Sequence, residues 1–445
     1  MTIENDLTRG SLVQGMLRFS VPYLISCFLQ TFYGLADLFI TGRYNGAAAL
    51  SAVSIGSQLM HMLTVVLVGL AMGSTVSISR SLGARDHRTI SKAIGNSVTL
   101  FAGIAAGLTV VLLCCASPIL TLLSTPPESF SQARSYAMIC FAGIPFITAY
   151  NVLCSIFRGL GDTRRPMYFV AIAGVINIGL DVLFIGPLGM GAAGAALATV
   201  ISQGTSVLMA LLYLKKGKLG ISVCREDFRP DAGMFRSLLG VGAPIALQDG
   251  IIQISFLVIT AIANSRGVNV AAAVGVVEKI ISFLFLVPSA MLSTVSAAAA
   301  QNAGAGLHDR SRKALRCGVI LCVSFGSLVF ILCQFLAPFI VSLFSKNSEE
   351  VVLLGAQYLR SYSLDCAIAG MHFCASGFFS AYRKSMYSFF HNILSVLLIR
   401  IPGTWLTSVL FPATLYPMGF AAPMGSLLSA LICLYLYKKH QNEWN

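Results

Sequence analysis

The feature that most constrains this chain is a succession of long apolar segments. A helix needs about 20 apolar residues to cross the hydrocarbon core of a bilayer. Only 11% of the 445 residues are charged and 56% are hydrophobic, whereas ordinary globular proteins carry roughly 25% charged residues. The segments are too long and too continuously apolar for barrel strands. We therefore predict an all-α, polytopic membrane protein with twelve transmembrane helices, near residues 16–40, 48–79, 94–116, 134–157, 166–186, 191–214, 237–263, 270–300, 315–344, 352–380, 386–410 and 417–437.

The formal net charge of +13 is explained by membrane topology. Lysines and arginines concentrate in alternate connecting segments, such as 80–92, 158–165 and 215–236. The positive-inside rule then places both termini in the cytoplasm, in a multi-pass protein of the inner (plasma) membrane. No nucleic-acid partner is expected. The 12 cysteines lie almost entirely within apolar segments and form no CxxC pair, so no disulfide framework or zinc site is expected.

The chain also repeats itself at about half its length. The sequence A-V-S-I-G at 52–56 has its counterpart in A-V-G-V-V at 273–277, and His87 has its counterpart in His308. Six spans per copy is an even number, so the two copies are parallel, and transporters built this way place a substrate site near the repeat interface. We predict an amino-terminal six-helix bundle at 1–214, a cytoplasmic linker at 215–236 and a carboxy-terminal six-helix bundle at 237–445.

Several motifs occur in an order and spacing that resemble the multidrug and toxic compound extrusion (MATE) family. They are D-L-T-R-G-S at 6–11, L-G-A-R-D at 82–86, R-G-L-G-D-T at 158–163, N-I-G-L-D at 177–181, the glycine-rich stretch 186–199, Q-N-A-G-A-G at 301–306 and R-I-P at 400–402. The resemblance covers essentially the whole chain. It implies two six-helix bundles around a central cleft, and a secondary active antiporter that exports organic, often cationic, compounds by alternating access. Inward movement of H⁺ or Na⁺ would drive export, with no other cofactor. The partners would be small-molecule substrates and the lipid bilayer, and a duplicated chain can function as a monomer.

Acidic residues inside the spans are functional candidates because a charge is costly in lipid. Asp37, Asn177, Asp181 and Thr199 match the residue types and spacings of the ion-coupling site that the resemblance implies for the first bundle. Two carboxylates in a water-poor pocket could exchange a proton, and with the amide and hydroxyl oxygens they could ligate Na⁺; no other metal is expected. Alternatively, the two aspartates only make polar contacts between helices.

Pro22 lies in the same span as Asp37, fifteen residues earlier. Proline removes a helical hydrogen bond and can kink the helix. The kink could depend on the charge of Asp37 and so link ion binding to cavity shape, or it could be static.

The second bundle offers a different set of polar residues as a substrate cleft. We include Asp249, Gln253, Glu278, Lys279, Asp365 and Arg400 from this bundle, together with Tyr33 from the first span. Asp249 and Asp365 could form a second cation site or face a cationic drug, and Lys279 could pair with either across helices. Arg400 stands at the repeat position of Asp181. A base there would reject a cation and favour coupling through the first bundle alone, or it could be a structural anchor.

Two other classes of function have weaker support in the sequence. A flippase or exporter of lipid-linked or polar metabolites on a related scaffold would need a broadly cationic cleft, to which only Lys279 and Arg400 point. An integral membrane enzyme using His372 or His391 would need a motif such as HExxH, and the sequence has none. There is also no phosphate-binding loop for ATP. We therefore predict a transporter rather than an enzyme.

Overall fold

A computed structural model describes residues 6–215, 223–344 and 348–444, and these residues form helices and no strands. In the first half the helices are α1 (Leu12–Tyr44), α2 (Ala47–Gly83), α3 (His87–Leu122), α4 (Pro127–Ala142), α5 (Ile144–Gly159), α6 (Arg164–Ile185) and α7 (Gly191–Lys215). In the second half they are α8 (Ala232–Asn264), α9 (Val268–Leu284), α10 (Leu286–Gly304), α11 (His308–Ser342), α12 (Glu349–Tyr362), α13 (Asp365–Ala381), α14 (Ser385–Ser395), α15 (Ile401–Leu410), α16 (Tyr416–Gly419) and α17 (Ala421–Lys439). A π-helical turn, Val396–Arg400, joins α14 to α15.

The predicted twelve-span, all-α architecture is confirmed, with breaks inside several spans. In the part of the chain that the structure describes, ten helical segments are long and apolar enough to cross a membrane, and α4 with α5 and α12 with α13 are pairs bent by 50° and 42°. Counting each bent pair as one span gives up to twelve. Pro145 lies just after the first bend, where its missing N–H leaves a carbonyl one turn earlier without its helical donor.

The chain divides into two compact units. The first unit contains Val21–Gly242, and the second contains Leu7–Ser20 together with Ala243–Asn445. The divisions therefore fall inside α1 and α8, next to Pro22 and Pro244. Each unit contains the beginning of the first helix of the other repeat. The bundle limits predicted from the sequence concern the repeats, and they stay a prediction.

In the first unit, the segment 227–231 is held on α3. The Asn96 side chain donates from Nδ2 to the carbonyl of Asp227 (3.0 Å) and accepts at Oδ1 from the backbone N–H of Asp231 (2.9 Å). Lys92 forms a 2.8 Å ion pair with Asp231. The ammonium group stabilises the ionised carboxylate and so holds the pKa of Asp231 below its usual range. Residues 227–231 of the predicted linker are therefore docked on α3, residues 232–236 belong to α8, and residues 216–222 lie outside the described residues.

The beginning of α8 then packs closely on α2 within the same unit. A Cβ added at Gly73 would lie 2.0 Å from the carbonyl oxygen of Leu238, and one added at Gly242 would lie 2.0 Å from that of Leu70. Only glycine at both positions allows the two backbones to approach this closely.

The second unit holds the segment 7–10 in the equivalent way. The backbone N–H of Leu7 donates to Gln301 Oε1 (3.2 Å), and its carbonyl accepts from Asn302 Nδ2 (3.2 Å). The Arg310 guanidinium donates to the carbonyls of Leu7, Arg9 and Gly10 at 2.9–3.2 Å. The segments that precede α1 and α8 are thus anchored by polar side chains, each in the unit formed mainly by the other repeat.

Candidate functional site

Three helices of the first unit bring the four predicted ion-coupling residues together. Asp37 lies on α1, Asn177 and Asp181 lie one turn apart on α6, and Thr199 lies on α7. Asp37 is 4% exposed, and Asn177 and Asp181 are fully buried. Asp181, Thr199 and Asn177 all lie within interaction range of the Asp37 carboxyl.

This pocket leaves an unusual number of buried polar atoms without a partner. They are Asp37 Oδ1, both carboxyl oxygens of Asp181, and both Oδ1 and Nδ2 of Asn177. Buried polar atoms are almost always hydrogen-bonded, so each exception needs an explanation. Among the described residues no lysine or arginine lies within 4.0 Å of either carboxyl. The pocket therefore provides oxygen acceptors and no internal cation.

Two polar contacts connect α1 and α7 on successive helical turns. The Thr199 hydroxyl lies 3.4 Å from Asp37 Oδ2 and 3.0 Å from the carbonyl of Ala195, so its one proton can serve either acceptor. One turn away, Gln203 Nε2 donates to the Tyr33 hydroxyl (3.3 Å). Tyr33 therefore belongs to the first unit's pocket. Gln203 was missed in the sequence, although its spacing of four residues from Thr199 could have indicated it.

Tyr136 on α4 is a second residue that the sequence did not reveal. It is 2% exposed and lies within electrostatic range of both Asp37 and Asp181. Its ring packs on Gly56, where an added Cβ would lie 2.2 Å from a ring carbon. A tyrosine inside an apolar run gives no sequence signal of this role.

The arrangement is suited to holding one small cation. Two buried carboxylates without a counter-ion cannot both remain ionised cheaply. A proton on one of them, or a Na⁺ ion among the carboxylate, amide and hydroxyl oxygens, would remove that penalty. The described residues contain no group of three or more His, Cys, Asp or Glu side chains that could hold a transition metal.

Pro22 is buried within α1, which continues through it as one helix from Leu12 to Tyr44. The Ser26 hydroxyl donates to the Pro22 carbonyl (2.9 Å). The position is the second residue after the boundary between the two units in α1. A kink controlled by Asp37 stays a prediction.

The second unit brings three of the predicted cleft residues together. Arg400, at the end of the π-helical turn, lies within electrostatic range of Glu278 on α9 and Asp365 on α13. Asp249 and Gln253 lie one turn apart on α8, both half-buried. Lys279 is exposed, and in the described parts of the chain it forms no ion pair within 4.0 Å with Asp249 or Asp365. The suggested pairing of Lys279 is therefore not present, because its side chain points away from the interior.

Comparison with known families finds two matches to the MatE family, over residues 22–183 and 244–406. The two matches begin 222 residues apart, at Pro22 and Pro244. The same family pattern therefore describes both halves, as the internal repeat predicted.

Individual relatives match along nearly the full length. The chain is 29% identical over 437 residues to the probable multidrug resistance protein YpnP of Bacillus subtilis (strain 168), covering 98% of this chain and 96% of that protein. It is 26% identical to a FAD transporter of Shewanella oneidensis, covering 99% and 97%. A MOP superfamily transporter structure from Pyrococcus furiosus superimposes with a TM-score of 0.92 at 22% identity, covering 98% of both chains.

Proposed function

Because this chain belongs to the multidrug and toxic compound extrusion (MATE) family of membrane transporters, we propose that it exports organic cations in exchange for H⁺ or Na⁺. Members of this family are transporters rather than enzymes. We further propose that the coupling ion binds among Asp37, Asn177, Asp181 and Thr199, that both termini are cytoplasmic, and that the chain works as a monomer.

The proposal rests mainly on two carboxyl groups in the first unit that have no lysine or arginine partner among the described residues. Asp37 and Asp181 share a buried pocket with three orphaned carboxyl oxygens and no internal cation among the described residues. A site used only for helix packing would be expected to satisfy these atoms, since an unsatisfied buried polar group costs about 1–3 kcal/mol. A site that loads and releases a cation has to leave them available.

Coupling requires the ion and the substrate to favour different conformations. A ligand shifts a conformational equilibrium only by its difference in affinity for the two states. Ion binding at the carboxyls would stabilise one orientation of the transporter, and substrate binding would stabilise the other. The same linkage requires each ligand to weaken the binding of the other.

The test is efflux of a fluorescent organic cation, rhodamine 123, from proteoliposomes under an imposed pH gradient or an imposed Na⁺ gradient. We expect one gradient to drive efflux, and Asp37→Asn and Asp181→Asn each to abolish the driven component. The control is Asp309→Asn, which removes a carboxylate that is 85% exposed and paired with Arg312; it should transport normally. Driven efflux that persists in both pocket variants would exclude this coupling site.

A second substrate class, a polar anionic metabolite, is favoured by one observation. The relative that matches 99% of this chain is named a FAD transporter. If this chain handles such compounds, FAD should be exported from the same proteoliposomes and should compete with rhodamine 123. Export of rhodamine 123 that is insensitive to FAD would leave the organic cation as the substrate class.

A further inference from the structure

Arg400 occupies a position in the second unit where an arginine would be expected to have a carboxylate partner. Its terminal nitrogen donates to the Tyr362 hydroxyl (2.7 Å), and its guanidinium lies 4.5 Å from the centre of the Phe256 ring. Its Nε is buried without a hydrogen-bond partner. Within the described ranges no carboxylate approaches it to 4.0 Å, although Glu278 and Asp365 lie within electrostatic range.

The two acids are also incompletely satisfied. Asp365 is 2% exposed, and its Oδ1 has no partner. Glu278 accepts a 3.2 Å hydrogen bond from Thr260 at Oε2, while its Oε1 is buried without a partner. In a permanent internal ion pair, these carboxyl oxygens would accept hydrogen bonds from the guanidinium nitrogens of Arg400, since a bidentate arginine–carboxylate contact is both strong and geometrically specific. Here the acidic side chains lie near Arg400 without forming an ion pair with it within 4.0 Å.

Arg400 also lies where the helix is irregular. Arg400 ends a π-helical turn, and such turns occur mostly as single-turn interruptions of helices at functional sites. Gly425 on α17 faces the turn, and a Cβ there would lie 2.8 Å from Ser395 Oγ and 3.6 Å from Arg400 Cβ. Arg400 and Glu278 are half-buried, whereas Asp365 and Tyr362 are each 2% exposed, so a ligand would meet Arg400 and Glu278 first.

We propose that this cluster, Glu278, Asp365 and Arg400 with Phe256 and Tyr362, binds organic zwitterions. The ligand's carboxylate would accept hydrogen bonds from the Arg400 guanidinium, and its cationic part would lie beside Glu278 and Asp365 and the aromatic rings. This inference deepens the proposed export function, and rests on it, by naming a substrate class. The first unit's pocket has acids alone and suits a simple cation, whereas the second unit's cluster offers both signs.

A matched pair of probes isolates the carboxylate. Rhodamine 110 carries a free carboxylate beside its cationic xanthylium ring, and rhodamine 123 is its methyl ester. Binding of each to the purified full-length protein is measured by fluorescence polarisation at one pH, without any ion gradient. We expect rhodamine 110 to bind more tightly, and Arg400→Gln to weaken rhodamine 110 by about tenfold or more while changing rhodamine 123 by less than about twofold.

The matched variant is Arg400→Lys, which retains the charge but loses the planar fork; it should lose affinity for rhodamine 110 to an intermediate extent. Retained binding of rhodamine 123 shows that a variant is folded, and if Arg400→Gln fails that criterion, Arg400→Lys and Tyr362→Phe carry the test. Equal affinity of the wild type for both probes, or equal weakening of both by the substitutions, would overturn the proposal and leave Arg400 as a counter-charge for the acids. Because binding is measured without a gradient, failure here is separate from failure of driven rhodamine 123 efflux.

Discussion

At the scale of single residues, the first unit's pocket is defined by what its polar atoms lack. The sequence could indicate Asp37 and Asp181, because carboxylates within apolar runs are conspicuous, and the spacing of Asn177 from Asp181 predicts one helix face. It could not indicate Tyr136, whose proximity to the two acids depends on how α4 packs against α2. The geometry joins the four predicted residues, and their role in ion coupling stays a prediction.

Thr199→Val tests the smallest member of that group. Valine keeps the shape of threonine and removes the hydroxyl that lies 3.4 Å from Asp37 Oδ2. Since a single hydrogen bond contributes about 1 kcal/mol, we expect the coupling-ion concentration for half-maximal efflux to rise about fivefold. The measurement is rhodamine 123 efflux against graded ion gradients.

The matched control is Thr205→Val on the same helix, because the Thr205 hydroxyl bonds to the carbonyl of Ile201 one turn back. It should leave the ion dependence unchanged. An identical shift in both variants would mean that the hydroxyl of Thr199 acts on α7 itself and not on the pocket.

At the scale of elements, the long apolar runs predicted the spans but not where they break. Pro145 gives a reason for the bend between α4 and α5, yet no proline lies at the break between α12 and α13, at Ser363–Leu364. Asp365 lies at the beginning of α13, directly after that bend, and is a member of the cluster around Arg400. A continuous hydropathy pattern contains no information about such a break, because both sides of it are equally apolar.

The close packing of α2 on the beginning of α8 gives an element-scale prediction. Gly73→Ala would place a Cβ 2.0 Å from a backbone carbonyl oxygen, so the helices must separate. We expect a loss of about 1–3 kcal/mol of stability. Thermal unfolding can be followed with a thiol-reactive dye, because cysteines such as Cys140 and Cys154 are buried in the folded state.

Gly103→Ala on α3 provides the control, since nothing lies within 4 Å of its added Cβ. Alanine is the better helix former by about 1 kcal/mol, so this variant should be as stable as the wild type or slightly more stable. Equal stability of Gly73→Ala and the wild type would contradict the close backbone contact.

Anchoring of the segment 227–231 on α3 has a predictable pH dependence. Lys92 donates to Asp231 and thereby lowers the pKa of that carboxyl, with the Met234 backbone N–H adding to the effect. A lowered folded-state pKa stabilises the fold fully above the unfolded value, about 3.9, and this stabilisation is lost as the pH falls through the folded value.

We therefore expect Asp231→Asn to lower the unfolding temperature by a constant amount between pH 5 and pH 7, and by less below about pH 4. The pair is partly exposed, so a double-mutant cycle with Lys92→Met should give only a small coupling energy. A pH-independent difference would show that the carboxylate's charge is irrelevant to the anchoring.

At the scale of the whole molecule, the distribution of basic residues predicts the orientation in the membrane. Cys224 is exposed, just before the short helical turn Arg225–Phe228, in the segment that we predict to be cytoplasmic. In a chain with Cys224 as its single cysteine, a membrane-impermeant maleimide should label inside-out vesicles and not intact cells. A single cysteine at the exposed position Glu128 should give the opposite pattern. Labelling of Cys224 in intact cells would mean that the chain has the opposite orientation in the membrane.

The exchange of the first-helix beginnings between the two repeats bears on how such a chain could arise. Residues 7–20 complete the unit of the second repeat, and residues 223–242 complete the unit of the first. A half-length ancestor would have been unable to bury the beginning of its own first helix. Two copies could have exchanged these segments, as in a domain-swapped homodimer. Gene fusion would then convert a bimolecular exchange into an intramolecular one. The separated halves of the present chain should accordingly accumulate only when they are synthesised together, each acting as the other's folding partner.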